Sequence, residues 1–305
     1  MIDIVGKRFK LFAFTAIVML ICIITLATSD LKMGIDFSSG SLLTLSFEEE
    51  VALNDIKQEL STLGYDNAIV QVTGDGDFLI RTLTLEAEEK ASLETSLESR
   101  FGELEELSFE NVDPVIARQT ARNAAIAVAA AAVGIMLYIT WAFRRMPKPF
   151  HYGTCAIAAL VHDLLIVIGI FAVLSIPMGL EVNLMFITGV LAVLGYSVND
   201  TVVIFDRIRE NRLNNPTADL AITINRSLVE TLTRSVNTGI TTLVVILALL
   251  MFIGSTILNF AIIMLIGVLV GTYSSIFVAS TLLIVWDKKE WKRFIPWLNR
   301  GEAKV

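Results

Sequence analysis

Four ionisable residues interrupt stretches that are otherwise apolar. His162 and Asp163 stand inside Gly153–Leu174, Asp200 inside Val182–Phe205, and Arg234 directly before Val236–Ile253. If these stretches cross a membrane, each such residue costs about 2.5–3.5 kcal/mol on insertion scales and faces a bundle interior or a water path. Asp200 and Arg234, a carboxylate and a guanidinium near each other at depth, can form a structural ion pair or mark a water path. His162 and Asp163, ten or eleven residues into their stretch, fall about 15 Å deep; they can relay protons or simply pack against the next helix. Tyr196 and Ser197 could line a water route. Asn199 and Thr201 can hydrogen-bond the carboxylate, or act as ordinary polar contacts between helices.

Those roles require spans. Hydrophobic residues make up 54% of the 305 and charged residues 18%, against about 25% charged in soluble domains. A span needs about 20 mainly apolar residues. Six stretches qualify: Leu11–Thr28, Ala124–Phe143, Gly153–Leu174, Val182–Phe205, Val236–Ile253 and Phe260–Trp286. The first follows "GKRFK" and precedes "ATS", as a signal peptide would. Its apolar core is longer than the usual 7–15 residues, so a retained anchor is expected.

Lys and Arg set the orientation. "GKRFK", "RRMPK", "DRIRENR" and "DKKEWKR" fall on one side, while "SIPMGLE" and "GSTILN" contain neither residue. Both termini are expected to be cytoplasmic. The segment 30–122 then lies outside; it carries 20 Asp and Glu against 7 Lys and Arg, a local charge of −13 in a chain of net −7. The acidity thus belongs to an extracytoplasmic domain and says nothing about nucleic acid, which is not an expected partner. Cys22 and Cys155 both fall in spans, so no disulfide framework is expected.

The outer segment reads as β-α-β-β-α-β. "SLLTLSF" has strand character; "VALNDIKQELSTLG" puts Leu53, Ile56, Leu60 and Leu63 at helical spacing before Gly64. "NAIVQVTG" and "DFLIRTLT" flank "GDG", a hairpin signal. A second helix ends at Gly102 and "ELEELSFENV" closes the set. This is the ferredoxin-like order, which serves many functions and indicates a small binding or docking domain or a spacer. The expected fold class is an α-helical integral membrane protein: 1–29 N-terminus and first helix, 30–122 outer α+β domain, 123–287 five further helices, and 288–305 a cytoplasmic tail. Within the third part, 217–235 is an amphipathic segment able to lie on the cytoplasmic surface and deliver Arg234 into the bundle.

Enzyme signatures are missing from the sequence: no Walker loop, no G-x-S-x-G elbow, no dinucleotide fingerprint, no metal spacing. No cofactor is expected. An intramembrane aspartyl protease would need two facing carboxylates, which Asp163 and Asp200 could formally supply. Asp206, Arg207, Arg209 and Glu210 read as a solvated, orienting cluster. "GVLVG" (267–271) and the Ala-rich 124–134 permit close helix approach, and one of these faces is expected to meet a partner.

"GIDFSSG" (34–40, with Gly34, Asp36, Phe37 and Gly40), "HD" in the third span, "GYSVNDTVVIFDRIREN" ending the fourth and "SLVETLTRSVNTG" opening the fifth together resemble the SecF family. These are subunits of the SecDF protein-export complex, of the resistance-nodulation-division superfamily. The similarity covers nearly the whole chain, and the fourth-span motif alone runs seventeen residues. It implies SecD as the pseudo-symmetric other half, the SecYEG translocon and a translocating preprotein as further partners beside membrane lipids, and a bacterial or archaeal cytoplasmic membrane. It implies use of the proton-motive force after the ATP-driven SecA step, with Asp200 binding the proton and Arg234 as its switching partner. "FSSG" departs from the family's "FTGG", which leaves the backbone at Ser39 in question. Half of a small-molecule or lipid exporter of the same superfamily, and a purely structural subunit, are the alternatives; a 90-residue outer loop is small for a drug pump.

Overall fold

A computed structural model of the chain describes residues 3–29, 31–73, 76–252 and 257–290. They form two compact units, one of residues 31–126 with 177–184, the other of 1–30, 127–176 and 185–305.

The first unit is built on four strands: β1 Gly40–Phe47, β2 Ile69–Val72, β3 Phe78–Thr82 and β4 Leu104–Val112. Their order is β2-β3-β1-β4 and every neighbouring pair is antiparallel. The chain order with helices α3 Leu53–Thr62 and α4 Ala87–Phe101 is therefore ferredoxin-like. Alternation along β1 sends Leu43 and Leu45 to one face, where they meet Ile56 and Leu60 of α3 and Leu93 and Leu97 of α4. Each of these Leu and Ile side chains is fully buried, worth about 1.5–3 kcal/mol. Leu63, expected on the same stripe, is 37% exposed because α3 ends before it, with Gly64 at φ +91°. Glu86 and Glu89 close a capping box on α4, and Gly102 at φ +89° ends it. In the "GDG" turn, Gly74 and Asp75 lie outside the described residues; Thr73 N–H donating to the Asp77 carbonyl at 2.8 Å brackets them.

The segment 177–184, expected as a plain connection, belongs to this unit. Gly34 N–H donates to Val182 O and Val182 N–H to Lys32 O, both at 2.8 Å. Val182 is thus in a parallel bridge with Met33 rather than in a span. An added Cβ at Gly34 would stand 2.9 Å from Asn183 Cβ. The motif itself folds into one short turn, α2 Ile35–Ser38.

The second unit contains the spans. α1 Arg8–Thr28, α5 Pro114–Ala142, α6 Pro149–Met178, α7 Leu184–Asn214, α8 Leu220–Phe252 and α9 Leu258–Ser274 are each long and apolar, the last continued by a π-helical turn Ser275–Ala279 and α10 Ser280–Asp287. All of them run beyond the apolar stretches at one or both ends. The segment 217–235 is not a separate surface helix: α8 is continuous through Arg234, because Ile224, Leu228 and Thr231 are buried and leave no break before the apolar run. The tail from 291 onward lies outside the described residues.

Residues of α6, α7 and α9 form the buried centre, and small residues bring them together. An added Cβ at Gly267 would collide with Val193, one at Gly189 would sit 2.8 Å from Ile263, and one at Gly271 3.1 Å from Ser197. "GVLVG" is therefore spent on the α7–α9 contact inside this chain, while Ala125, Ala129, Ala130 and Gly134 on α5 stay exposed.

Ser39 answers the question raised by "FSSG". Its φ is +64° and ψ 171°, a region occupied almost solely by glycine and costing other residues about 1–3 kcal/mol. Gly40 follows at φ +117°, and a Cβ there would strike the Thr82 carbonyl. Ser39→Gly is expected to stabilise the protein by about 1 kcal/mol after the greater freedom of the unfolded glycine is deducted; Gly40→Ala should destabilise it. Thermal unfolding midpoints of the purified variants test both signs.

Candidate functional site

α6 places His162 and Asp163 among buried residues, 4% and 1% exposed. Asp163 is held from three directions. His162 Nδ1 lies 2.9 Å from Oδ1, Ser197 Oγ of α7 donates to Oδ2 at 2.6 Å, and Ser274 Oγ of α9 donates to the same oxygen at 2.7 Å. The ring's Nε2 is buried and has no protein hydrogen-bond partner.

One turn further along α7, the positions i, i+3 and i+4 put Ser197, Asp200 and Thr201 on one buried face. Ser235 Oγ of α8 donates to Asp200 Oδ1 at 2.6 Å, while Asp200 Oδ2 is buried with no partner. Thr201 Oγ1 lies 2.8 Å from Ser275 Oγ, which in turn donates to the Ser197 carbonyl at 3.2 Å. Tyr196 OH is 3.2 Å from Thr272 Oγ1, and a Cβ on Gly239 would sit 3.1 Å from that same threonine oxygen. α7, α8 and α9 thus meet around a cluster of hydroxyls.

Arg234 is exposed, and among the described residues no ion pair within 4.0 Å joins it to Asp200. The expected contact is replaced by that of its neighbour Ser235. Consecutive helical residues point about 100° apart, so a rotation of that size about the α8 axis exchanges hydroxyl for guanidinium. Asn199 is also exposed and stands outside the cluster. Ser235, Thr272, Ser274 and Ser275 were not singled out in the sequence; the run "GTYSS" in an apolar helix was the one available signal. The charged end of α7 is more than a solvated fringe: Arg207 Nε reaches Glu230 of α8 at 2.7 Å, and Asn211 Nδ2 donates to the same carboxylate at 2.8 Å.

The outer motif gathers in the other unit. Asp36 Oδ2 accepts from the Leu184 N–H at 2.8 Å, at the start of α7. Arg81 of β3 donates to Glu181 Oε1 at 3.1 Å and to Ser38 Oγ at 3.0 Å, and also bonds the Met33 carbonyl. Phe37 is half-buried, and Gly34 and Gly40 serve the close approaches described above. Among the described residues no group of three or more His, Cys, Asp or Glu side chains could hold a metal ion. Cys22 and Cys155 are free and buried.

Residues 92–289 match the family model described as Protein export membrane protein SecD/SecF, C-terminal, which sets the class as a polytopic membrane protein of the SecD/SecF type. Protein translocase subunit SecF of Thermobaculum terrenum is 41% identical over 96% of both chains, and that of Anaerolinea thermophila 38% over 99% of this chain and 98% of its own. The crystal structure of SecDF, a translocon-associated membrane protein from Thermus thermophilus, superposes with a TM-score of 0.83 at 33% identity over 94% of this chain and 39% of that one. The chain therefore spans about two fifths of SecDF. It belongs to the SecF family of protein translocase subunits.

Burial pushes the Glu181 carboxyl above the usual carboxylate range, an effect partly offset by Arg81 and Lys32 and reinforced by Asp36. A carboxyl whose folded value is raised contributes stability that is present below its unfolded value, about 4.3, and lost as pH rises through the folded one. Glu181→Gln should therefore raise the unfolding midpoint near neutral pH, with the gain shrinking as pH falls toward 4. A gain independent of pH would show that Glu181 does not titrate in this way.

Proposed function

We propose that the chain is the proton-motive-force-coupled auxiliary subunit of the Sec translocase, working with SecD beside SecYEG to promote preprotein movement. The auxiliary role with SecD follows from the family. The coupling rests on one observation: Asp200 is buried at span depth with one oxygen bonded to Ser235 and the other without a hydrogen-bond partner, and a guanidinium stands on the residue before that serine. A staple holding an assembly would satisfy both oxygens, since buried polar atoms are almost always paired. A site that alternates between two partners leaves one of them waiting.

In this reading the ionised Asp200 draws Arg234 inward, and protonation releases it in favour of Ser235. Each charge crossing the membrane field is worth about 2.3 kcal/mol per 100 mV, enough to bias a two-state rearrangement and far below the work of moving a whole polypeptide, so many cycles serve one preprotein. Arg234, Asn237 and Thr241, at i, i+3 and i+7, form an exposed polar stripe on α8. Such a stripe does not face hydrocarbon, which supports a protein cover there, and SecD is the partner we assign to it. Residues 30–122 lie on the extracytoplasmic side, both termini and 288–305 on the cytoplasmic side, and the chain performs no covalent catalysis.

The test is preprotein translocation in proteoliposomes holding this chain, SecD and SecYEG, with and without an imposed proton gradient. Asp200→Asn is expected to abolish the gradient-dependent increment while the complex still co-purifies. An unchanged increment overturns the coupling role, and loss of co-purification that Asp200→Glu restores supports a structural pair instead.

A further inference from the structure

Asp163 is a fully buried carboxylate held by three side chains, and the Asp200 coupling does not use it. It lies on α6, away from the Asp200–Ser235 bond, and three helices contribute to its coordination. Asp163 and His162 are both buried at a depth where an ionisable residue is costly. A packing role would be served by an amide and a phenyl ring, with no buried ring nitrogen left unpaired. We propose that Asp163 is a second proton-exchanging carboxylate, loaded through His162 and read by the hydroxyls of Ser197 and Ser274; the inference rests on the proton-coupled reading of the preceding section.

The exchange balances within the residues named. A proton binds the lone pair of His162 Nε2, the one ring atom free of a protein partner. The Nδ1–H bond breaks, and its proton forms an O–H bond on Asp163 Oδ1, 2.9 Å away. The imidazole stays neutral in its other tautomer, the carboxylate becomes a carboxylic acid, and the pair gains one proton. The His162–Asp163 hydrogen bond survives with donor and acceptor reversed.

What changes is Oδ2. Before uptake it is an anionic oxygen accepting two hydroxyls, at 2.6 and 2.7 Å. After uptake it is a neutral carbonyl oxygen, and hydrogen bonds to an ionised acceptor are roughly twice as strong as neutral ones. The grip of α7 and α9 on α6 therefore loosens on loading. Ser274 is the last residue of α9, and the next five residues form a π-helical turn. Such turns mark places where a helix departs from its regular hydrogen-bond ladder, frequently at functional sites. Ser275, the first residue of that turn, bonds Thr201 and the Ser197 carbonyl. The same four residues thus carry a change at Asp163 to the helix turn that holds Asp200.

Titratable side chains on the elements packed around Asp163 include His162 and Cys155 on its own helix, Tyr196 and Asp200 on α7, Tyr273 on α9 and Cys22 on α1; Ser197 and Ser274 remain neutral throughout. The experiment is the same proteoliposome assay, driven by a pH gradient without an electrical potential and compared for the parent, Asp163→Asn, Ser274→Ala and Asp200→Asn. Asp163→Asn is expected to lose the gradient-dependent increment while co-purifying with SecD. Ser274→Ala removes one donor from the ionised form and is expected to move the pH profile of the increment to the alkaline side, a change that mere packing would not produce. If Asp200→Asn loses the increment and Asp163→Asn keeps it, Asp163 is a packing group and this inference falls alone. If both variants keep it, the coupled reading falls as well. Should Asp163→Asn fail to assemble, the Ser274→Ala profile decides: an alkaline shift upholds the second carboxylate, and superposition on the parent overturns it.

Discussion

Burying a carboxylate in an apolar bundle is the constraint around which the spans are arranged. A carboxylate in hydrocarbon needs donors, and the backbone of a helix has none to spare in its interior. Every donor reaching Asp163 and Asp200 is accordingly a side chain: three serines and one histidine. Serine is suited to this use, because its hydroxyl rotates to follow the acceptor and its short side chain demands that the helices be close. The close approach is supplied by Gly189, Gly267 and Gly271, where α7 and α9 pass with no room for a methyl group. Packing and electrostatics are thus one requirement: without the glycines the hydroxyls would not reach, and without the hydroxyls the carboxylates would not be tolerated.

The two carboxylates are satisfied unequally. Asp163 has donors on both oxygens and Asp200 on one. An acceptor with complete coordination resists movement of the helices that supply it, whereas an incomplete one favours any rearrangement that brings a further donor. The fuller coordination thus falls on the α6–α7–α9 centre, while α8 beyond Ser235 is largely exposed within this chain. Within the outer unit, Asp36 bonds the Leu184 N–H and Arg81 gathers Glu181, Ser38 and Met33, so the 177–184 segment is held to the sheet domain by side chains as well as by backbone bonds.

Much of this was legible in the sequence, because the strongest signals are the costliest residues. Asp163, Asp200 and Arg234 stand out in apolar runs regardless of what surrounds them, and the β-α-β-β-α-β order follows from two helix stripes and three turn signals. The partners were harder to see. Ser235 and Ser274 are unremarkable in a membrane helix, where serines commonly bond their own backbone, and only the crossing of α8 and α9 with α7 distinguishes them. The 177–184 segment read as a loop because a single parallel bridge leaves no periodicity. The apparent division of 217–252 into a surface helix and a span came from its composition, which changes at Arg234 although the helix runs on unbroken.

Arg234 itself carries the last step. A guanidinium cannot be deprotonated in a protein, so an exposed arginine at a span keeps its charge and must be answered by something other than lipid. Ser235 occupies the position that would neutralise it within this chain. Among the described residues, Asp200 Oδ2 on α7 thus has no hydrogen-bond partner, and Arg234 on α8, next to the Ser235 that bonds Asp200, has no ion pair within 4.0 Å. Pairing them by rotation removes both costs and breaks the Ser235 bond; leaving them apart keeps the bond and both costs. Neither arrangement wins outright, because a neutral proton-bearing Asp200 removes the first cost without any rotation. Under the proposed coupling, proton occupancy of Asp200 decides which arrangement prevails.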